Sequence, residues 1–295
     1  MSKRTVSVVI GSFNRKPFLR LAIESIRREI SSLEAEIIVV DGGSNDGTLE
    51  WTTRQRDIIS IIQHNRGTWR GKPIERRSWG YFMNLGFKAA QGRYICMLSD
   101  DCLVVPGAIR NGVEQADRLL AEGKRIGAVA FYWRNWPEQT RYWVGRAFGG
   151  KLFVNHGLYL REALRSISYA DEDTYAFYHA DSDICLRLAE AGYDCVAADN
   201  SFIEHYRHAN EAVRATNRSV QKADWARYTA RWSALDAHLR PEEKEPWDYL
   251  DYKDPHRTAE QFRGIREVRV QCARDGMQQV VRALKRAVKR VLGRH

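Results

Sequence analysis

The sequence predicts an α/β protein with a mostly parallel central sheet and flanking helices, followed by a helical C-terminal extension. Three observations carry this. Apolar, β-branched runs at residues 5–11 (T-V-S-V-V-I-G), 35–40 (A-E-I-I-V-V) and 57–63 (D-I-I-S-I-I-Q) are separated by helical stretches. Such βαβαβ alternation implies parallel strands joined by right-handed crossovers. Two apolar strands also run straight into acid, one at Asp41 and one, Y-I-C-M-L-S-D-D, at Asp100 and Asp101. An open α/β sheet binds ligands outside the carboxyl ends of its strands, so the two acidic ends predict one acidic cleft.

The elements follow in order. The first strand, at residues 5–11, reads as buried on both faces. Pro17 then suits the first turn of a helix, whose inward face is Leu21, Ala22, Ser25 and Ile26. After the second strand, G-G-S-N-D-G-T (42–48) is a tight loop, with Asp46 or Thr48 placed to cap a short helix. Residues 64–78 are basic and irregular. A helix is expected at 79–90, a strand at 94–99, a helix at 106–122 and a strand at 126–133. A polar and aromatic loop follows at 134–143. Residues 181–190 form an amphipathic helix stopped by Gly192, and 195–198 a last strand. Beyond about 210 the pattern is helical, interrupted by Pro241, Pro246 and Pro255, then helical again.

Composition narrows the function classes. No run approaches the roughly 18–20 consecutive apolar residues of a membrane-spanning helix, and Asn14-Arg15-Lys16 follows the first strand too soon for a secretory leader. Five widely spaced cysteines, with no zinc-site pairing, suit a reducing cytoplasm. The net charge is +10, but residues 261–295 hold ten basic against two acidic residues, so the first 260 carry only about +2. A basic tail on a nearly neutral body argues against a nucleic-acid enzyme.

Two neighbouring carboxylates repel one another unless a cation or water relieves them. Hard divalent cations prefer such oxygens and commonly bridge to substrate phosphates. With this the chain resembles a family 2 glycosyltransferase of GT-A fold. The resemblance rests on V-S-V-V-I-G-S-F-N-R (6–15), I-I-V-V-D-G-G-S-N-D-G-T (37–48), N-L-G-F-K-A-A-Q-G-R-Y-I-C-M-L-S-D-D (84–101) and Y-A-D-E…H-A-D-S-D-I-C-L-R-L-A-E-A-G-Y (169–193). Their order and spacing match the family over about residues 5–208. The resemblance implies a catalytic domain over 1–210, with nucleotide-sugar binding in about 1–105 and acceptor binding and catalysis in about 106–210. Residues 211–295 are then the extension.

The resemblance also implies roles. The donor is a nucleotide sugar, often a UDP-sugar, and the cofactor a divalent metal, Mn²⁺ or Mg²⁺. Ser12, Phe13, Asn14 and Asp41 match the stretches that hold nucleobase and ribose; the alternative for Asp41 is a turn residue closing its own loop. Gly42 stands where many relatives have a second acid. Ser99-Asp100-Asp101 matches the D-x-D motif with Ser99 in place of its first Asp. Asp101 is then the main metal ligand, and Asp100 lies near the ribose or a metal-bound water. Asn84 and Gly86 match an N-x-G element. The Arg often found just ahead of that element is Met83 here, which leaves Arg76, Arg77 or Lys72 either as its substitute at the phosphates or as a solvated charge run. Asp181 and Asp183 match E-D-x-D with Ala180 in place of Glu. This makes Asp181 the general base of an inverting transfer, beside its plain use as a helix cap, and puts Asp183 on the acceptor side. His205 is the expected metal or diphosphate contact ahead of His208.

Trp133, Trp136, Tyr142 and Trp143 crowd one loop, either as a stacking platform for an acceptor sugar or as a partly buried lid. Residues 277–292 place Met277, Val281, Leu284, Val288 and Leu292 at helical spacing among basic residues. Such a helix lies on an anionic membrane surface or packs on protein. A lipid-linked acceptor would make membrane binding useful, with the protein at the inner face of the membrane. By family association the resemblance implies a glycan or lipid-linked acceptor in polysaccharide or glycoconjugate assembly. Two other readings compete. A sugar-nucleotidyltransferase would want a Gly-rich basic loop after the first strand, which residues 11–16 are not. A non-catalytic nucleotide- or glycan-binding protein would fit the Ser99 and Ala180 departures.

Overall fold

The computed structural model describes residues 5–239, 246–274 and 277. It contains strands β1 (Val6–Ser12), β2 (Ala35–Asp41), β3 (Ile58–Ile62), β4 (Thr68–Trp69), β5 (Lys72–Pro73), β6 (Tyr94–Ser99), β7 (Cys102–Val104), β8 (Ile126–Asn135), β9 (Tyr142–Arg146), β10 (Leu152–Phe153), β11 (Gly157–Leu160), β12 (Asp194–His205) and β13 (Trp247–Leu250). The helices are α1 (Lys16–Ile30), α2 (Thr48–Thr52), α3 (Trp79–Ala89), α4 (Ala108–Ala121), α5 (Arg161–Ser166), α6 (Ala180–Glu190), α7 (Glu211–Arg218) and α8 (Gln221–Trp232).

Strands β3, β2, β1 and β6 are parallel neighbours. β11 is inserted antiparallel between β6 and β8, so β8 runs with β6, and β12 runs parallel to β8. Six strands therefore point one way, as the alternation of elements predicted. Their carboxyl ends bring Ser12, Asp41, Ser99, Asn135 and His205 to one edge of the sheet.

The central strands β1, β2 and β6 are mostly apolar because both faces are covered. Val6, Val8 and Ile10 of β1 pack with Leu19, Ile23 and Ile26 of α1 and with Ile109 and Val113 of α4. Val9, between them in sequence, belongs to the cluster on the opposite face with Met83 and Phe87 of α3. Gly86 lets α3 lie close on the sheet, since a Cβ there would meet Val9 Cγ1 at 2.5 Å.

The chain beyond 210 differs from a purely helical extension. α7 and α8 are helical, but β13 adds to the main sheet beside β9. Phe262, in a 3₁₀ turn at Thr258–Gly264, packs with Phe18, Trp136 and Tyr206. The basic amphipathic tail lies outside the described residues apart from Met277, which is exposed.

Candidate active site

β6 ends at Ser99 and the chain turns through Asp100 and Asp101 into β7, burying both carboxylates. Two buried neighbouring acids need a counter-charge, and Arg15 supplies it. Its Nη1 lies 2.8 Å from Asp100 Oδ1 and 2.9 Å from Asp101 Oδ2. Ser12 Oγ donates to Asp100 Oδ2 at 2.9 Å. Arg214 Nη2, from α7, reaches Asp101 Oδ2 at 2.8 Å. Burial works against the Arg15 charge, yet Asp100 and Asp101 hold its guanidinium above its ordinary value. Burial also pushes both carboxyls up. Asp100 stays raised, whereas Arg15, with Arg214 adding to it, brings Asp101 well below the usual carboxylate range.

His205 closes β12 beside this turn. Asn135 Oδ1 lies 2.7 Å from His205 Nδ1, which puts the ring proton on Nδ1 and leaves the Nε2 lone pair toward Asp101. The buried Asp101 Oδ1 accepts no hydrogen bond and stands 3.4 Å from that Nε2. Donor atoms of Asp101, Cys102 and His205 all lie within 4.8 Å of one another. An orphaned carboxylate oxygen facing an imidazole lone pair suits a divalent cation.

Asp101, His205 and Asp181 all line one hollow of about 500 Å³. It shares the lining residues Gly11, Arg15, Trp79, Met83 and Ser99 with a smaller one of about 150 Å³. Asp181 sits in the first turn of α6, where Ser182 N–H donates to it at 2.9 Å and Asn155 Nδ2 at 3.1 Å. Burial raises its carboxyl above the ordinary range despite these bonds. The preceding segment is held from α8: the buried Asp224 carboxylate accepts backbone N–H bonds from Ala176, Phe177 and Tyr178 at 2.8–2.9 Å. His179 follows in a left-handed conformation (φ 66°) and stacks on Tyr228 of α8.

The smaller hollow is lined by Ser12, Phe13, Asp100 and the arginines 15, 66, 76 and 77. Arg66 Nη2 and Arg76 Nη2 both donate to Asn217 Oδ1, at 2.8 and 2.6 Å. Arg66 also lies over the Phe13 ring, 5.2 Å from its centroid. Burial pulls Arg66 down to about 10, with Arg76 and Arg15 adding to the effect. Crowded guanidiniums around a neutral amide oxygen make a cradle for anions.

Several expected site residues stand elsewhere. Asp41 closes its own loop: Oδ1 accepts from Gly43 N and Ser44 N, and Oδ2 from Ser44 Oγ, at 2.7–2.8 Å. Gly42, not Asp41, lines the hollow, and a Cβ there would meet the Phe13 ring at 3.1 Å. Asn14 ties the same loops, its Oδ1 accepting from Asn45 N and its carbonyl from Asn210 Nδ2. Asn84 is buried and clamps α3 to Ala170 and Glu172 instead of facing the cleft. Asp183 is wholly buried, holding Arg187, Tyr175 Oη and Trp232 Nε1. Two residues along a helix turn the side chain by about 200°, so Asp181 and Asp183 cannot both face the cleft. His208 pairs with Glu138 and Glu211.

The tryptophans are a buried stack and not an exposed platform. Trp133 lies on the cleft wall, edge-on to His205 and His156. Trp143 packs behind it at 3.8 Å between centroids, and Trp136 belongs to the Phe262 cluster. Sequence reasoning missed Arg15, Arg66, Asn135, Asn155, Arg214, Asn217 and Asp224. Arg15 carried a signal, since a buried acid pair demands a nearby cation. Arg66 lay in the loop already read as basic, and the rest carried none, because nothing in the local sequence brings α7, α8, the end of β8 or the turn before β11 to this edge.

The family model described as glycosyl transferase family 2 matches residues 7–183. The chain belongs to glycosyl transferase family 2. This family 2 chain is 32% identical over 111 residues to an uncharacterized glycosyltransferase of Nostoc sp., covering 37% of this chain and 32% of that protein. It thus spans about a third of that relative's length. It is 21% identical over 263 residues to EpsH of Bacillus subtilis, covering 82% of this chain and 72% of EpsH. Among solved structures it is similar to the mannosyltransferase PcManGT of Pyrobaculum calidifontis in complex with GDP-Man and Mn²⁺, with a TM-score of 0.54, 17% identity, and 82% and 67% of the two chains covered. S. aureus TarS 1-349 in complex with UDP-GlcNAc also gives a TM-score of 0.54, at 13% identity and 81% and 69% coverage. These likenesses establish the GT-A fold.

Proposed function

We propose that this chain transfers a sugar, with inversion, from a nucleoside diphosphate sugar to a glycan or lipid-linked acceptor in polysaccharide or glycoconjugate assembly, with UDP as the preferred nucleotide. One juxtaposition supports the reading best: Asp101, His205 and Asp181 line a single hollow beside the arginine cradle. A divalent cation, Mn²⁺ or Mg²⁺, held by Asp101 and His205 would neutralise charge on the diphosphate leaving group.

The rest falls to the chain's own side chains. Phe13 and Ser12 receive the nucleoside, and Arg66, Arg76 and Arg77 meet the phosphates. Asp181 takes the proton of the acceptor hydroxyl, held by the Asn155 amide and the Ser182 N–H. Trp133, the tryptophan on the cleft wall, bounds the sugar. Melting curves with a panel of nucleotide sugars, with and without Mn²⁺, test the reading. A UDP-sugar that raises Tm only with metal supports it, and a panel that never shifts Tm counts against it.

A guanidinium-to-phosphate bond contributes about 1.5–3 kcal/mol. Arg66→Gln and Arg76→Gln should therefore each weaken donor binding by roughly 10- to 100-fold, with acceptor KM unchanged. Unaltered donor affinity in both variants would remove the cradle from the phosphates. The peripheral membrane placement rests on the composition of the tail. Sedimentation with anionic vesicles should fall on removal of residues 277–295 and stay low with neutral vesicles. Equal sedimentation by the shortened chain would exclude the tail as the anchor.

A further inference from the structure

Cys102 is drawn into the site by pairing between strands that are distant in sequence. β7 runs antiparallel to β12, and Cys102 stands directly opposite His205 in that ladder. Residues directly opposite on an antiparallel pair project to the same face with Cβ atoms roughly 4.5–5.5 Å apart. Cys102 also follows Asp101 directly. Its Sγ, a carboxylate oxygen of Asp101 and a ring nitrogen of His205 consequently lie within 4.8 Å of one another. On the far side the thiol touches His156 Nε2 at 3.5 Å. The second observation is Asp101 Oδ1, which is buried and accepts no hydrogen bond. Arg15 and Arg214 bond the other carboxylate oxygen, Oδ2. Arg214 Nη2 also lies 3.2 Å from His205 Nε2, so it is the group an ion would replace at that nitrogen.

We infer that Cys102 Sγ is a third protein ligand for the cation held by Asp101 and His205, and that the site therefore favours thiophilic divalent ions such as Co²⁺ and Zn²⁺ over Mg²⁺. The inference rests on the proposed role of Asp101 and His205 and adds to it. Carboxylate oxygens suit Mg²⁺ and Mn²⁺ and an imidazole already favours Mn²⁺ over Mg²⁺, whereas a thiolate shifts preference further toward softer ions. On binding, the S–H bond breaks, the sulfur–metal bond forms and the proton leaves to solvent, because a coordinating thiol is deprotonated.

The test uses the full chain, stripped of metal and titrated with Co²⁺ alone. Thiolate ligation produces a near-ultraviolet sulfur-to-cobalt charge-transfer band, while the visible cobalt bands report binding by any donors. The wild type should show both. Cys102→Ser should lose the charge-transfer band and keep the visible bands, and Mg²⁺ should then displace Co²⁺ more readily than from the wild type. Cys102→Ala, which leaves no hydroxyl in the buried position, repeats the measurement, and a melting curve for each variant shows that it is folded. A wild type with visible bands that Asp101→Asn abolishes, but no charge-transfer band, would overturn the role of Cys102 and leave Asp101 as a ligand. Visible bands unaffected by Asp101→Asn would overturn both. A charge-transfer band that persists in folded Cys102→Ser would assign the thiolate to another cysteine and also overturn the inference.

Discussion

Asp181→Asn is expected to bind donor as the wild type does and to lose transfer, with kcat falling by about 10²- to 10⁴-fold, the range for a positioned proton acceptor. The substitution keeps the side chain's shape, and the amide oxygen can still accept from Ser182 N–H. Asn155 Nδ2 donates to the other carboxylate oxygen, so Asn155 must turn its own amide oxygen toward the new NH2. The ability to take a proton is lost. Burial raises the Asp181 carboxyl, which gives two further signs. A base acts when ionised, so activity should fall as pH drops through this raised pKa. The acid limb of kcat/KM should lie above the usual carboxylate range and vanish from the residual activity of the variant. A carboxyl raised in the folded state also costs stability as pH climbs from its unfolded pKa through its folded one. Asp181→Asn should therefore melt no lower than the wild type at neutral pH. A variant that transfers at the parental rate would remove Asp181 from catalysis.

Asp101→Ala is expected to abolish metal-dependent donor binding altogether. It removes the carboxylate that faces His205 Nε2 and leaves Arg15 and Arg214 short of a partner in a buried place. Removing one member of a buried ion pair costs about 3–5 kcal/mol, so a lower Tm should accompany the loss. Asp101→Asn separates the two effects by keeping the shape and one hydrogen-bonding oxygen. Both variants should lose the Tm increase that Mn²⁺ gives with a nucleotide sugar. A metal-dependent increase retained by both would place the cation elsewhere.

The elements were legible because their signals are local. The runs of β1, β2 and β6 are mostly apolar because helices cover both faces, α1 and α4 belonging to the cluster on one and α3 to the cluster on the other. The acidic end of β6 could likewise be read, since a strand that runs into two carboxylates is an uncommon pattern with few purposes. Direction was harder to read. Asp183 looked like a partner of Asp181, but the helical turn between them sends it inward to Trp232 and Arg187. Trp136 and Trp143 looked like a platform, but Trp247 of β13 packs on Trp143, and Phe262 in the chain after it packs on Trp136. Asp41 had two readings, and Ser44 with its own loop amides takes up the carboxylate.

The sequence by itself determined the parallel sheet, the family resemblance and the positions of Asp101 and Asp181, because strand and helix periodicity and strand-end carboxylates are properties of neighbours along the chain. Tertiary structure alone decided what those carboxylates meet. Arg15 arrives from the turn after β1, Arg214 and Asn217 from α7, Asn135 from the end of β8, and Cys102 comes opposite His205 only when β7 pairs with β12. The physical reason is that counter-charge and ligand geometry depend on distances of a few ångströms between segments up to about 200 residues apart, and sequence spacing does not encode such distances.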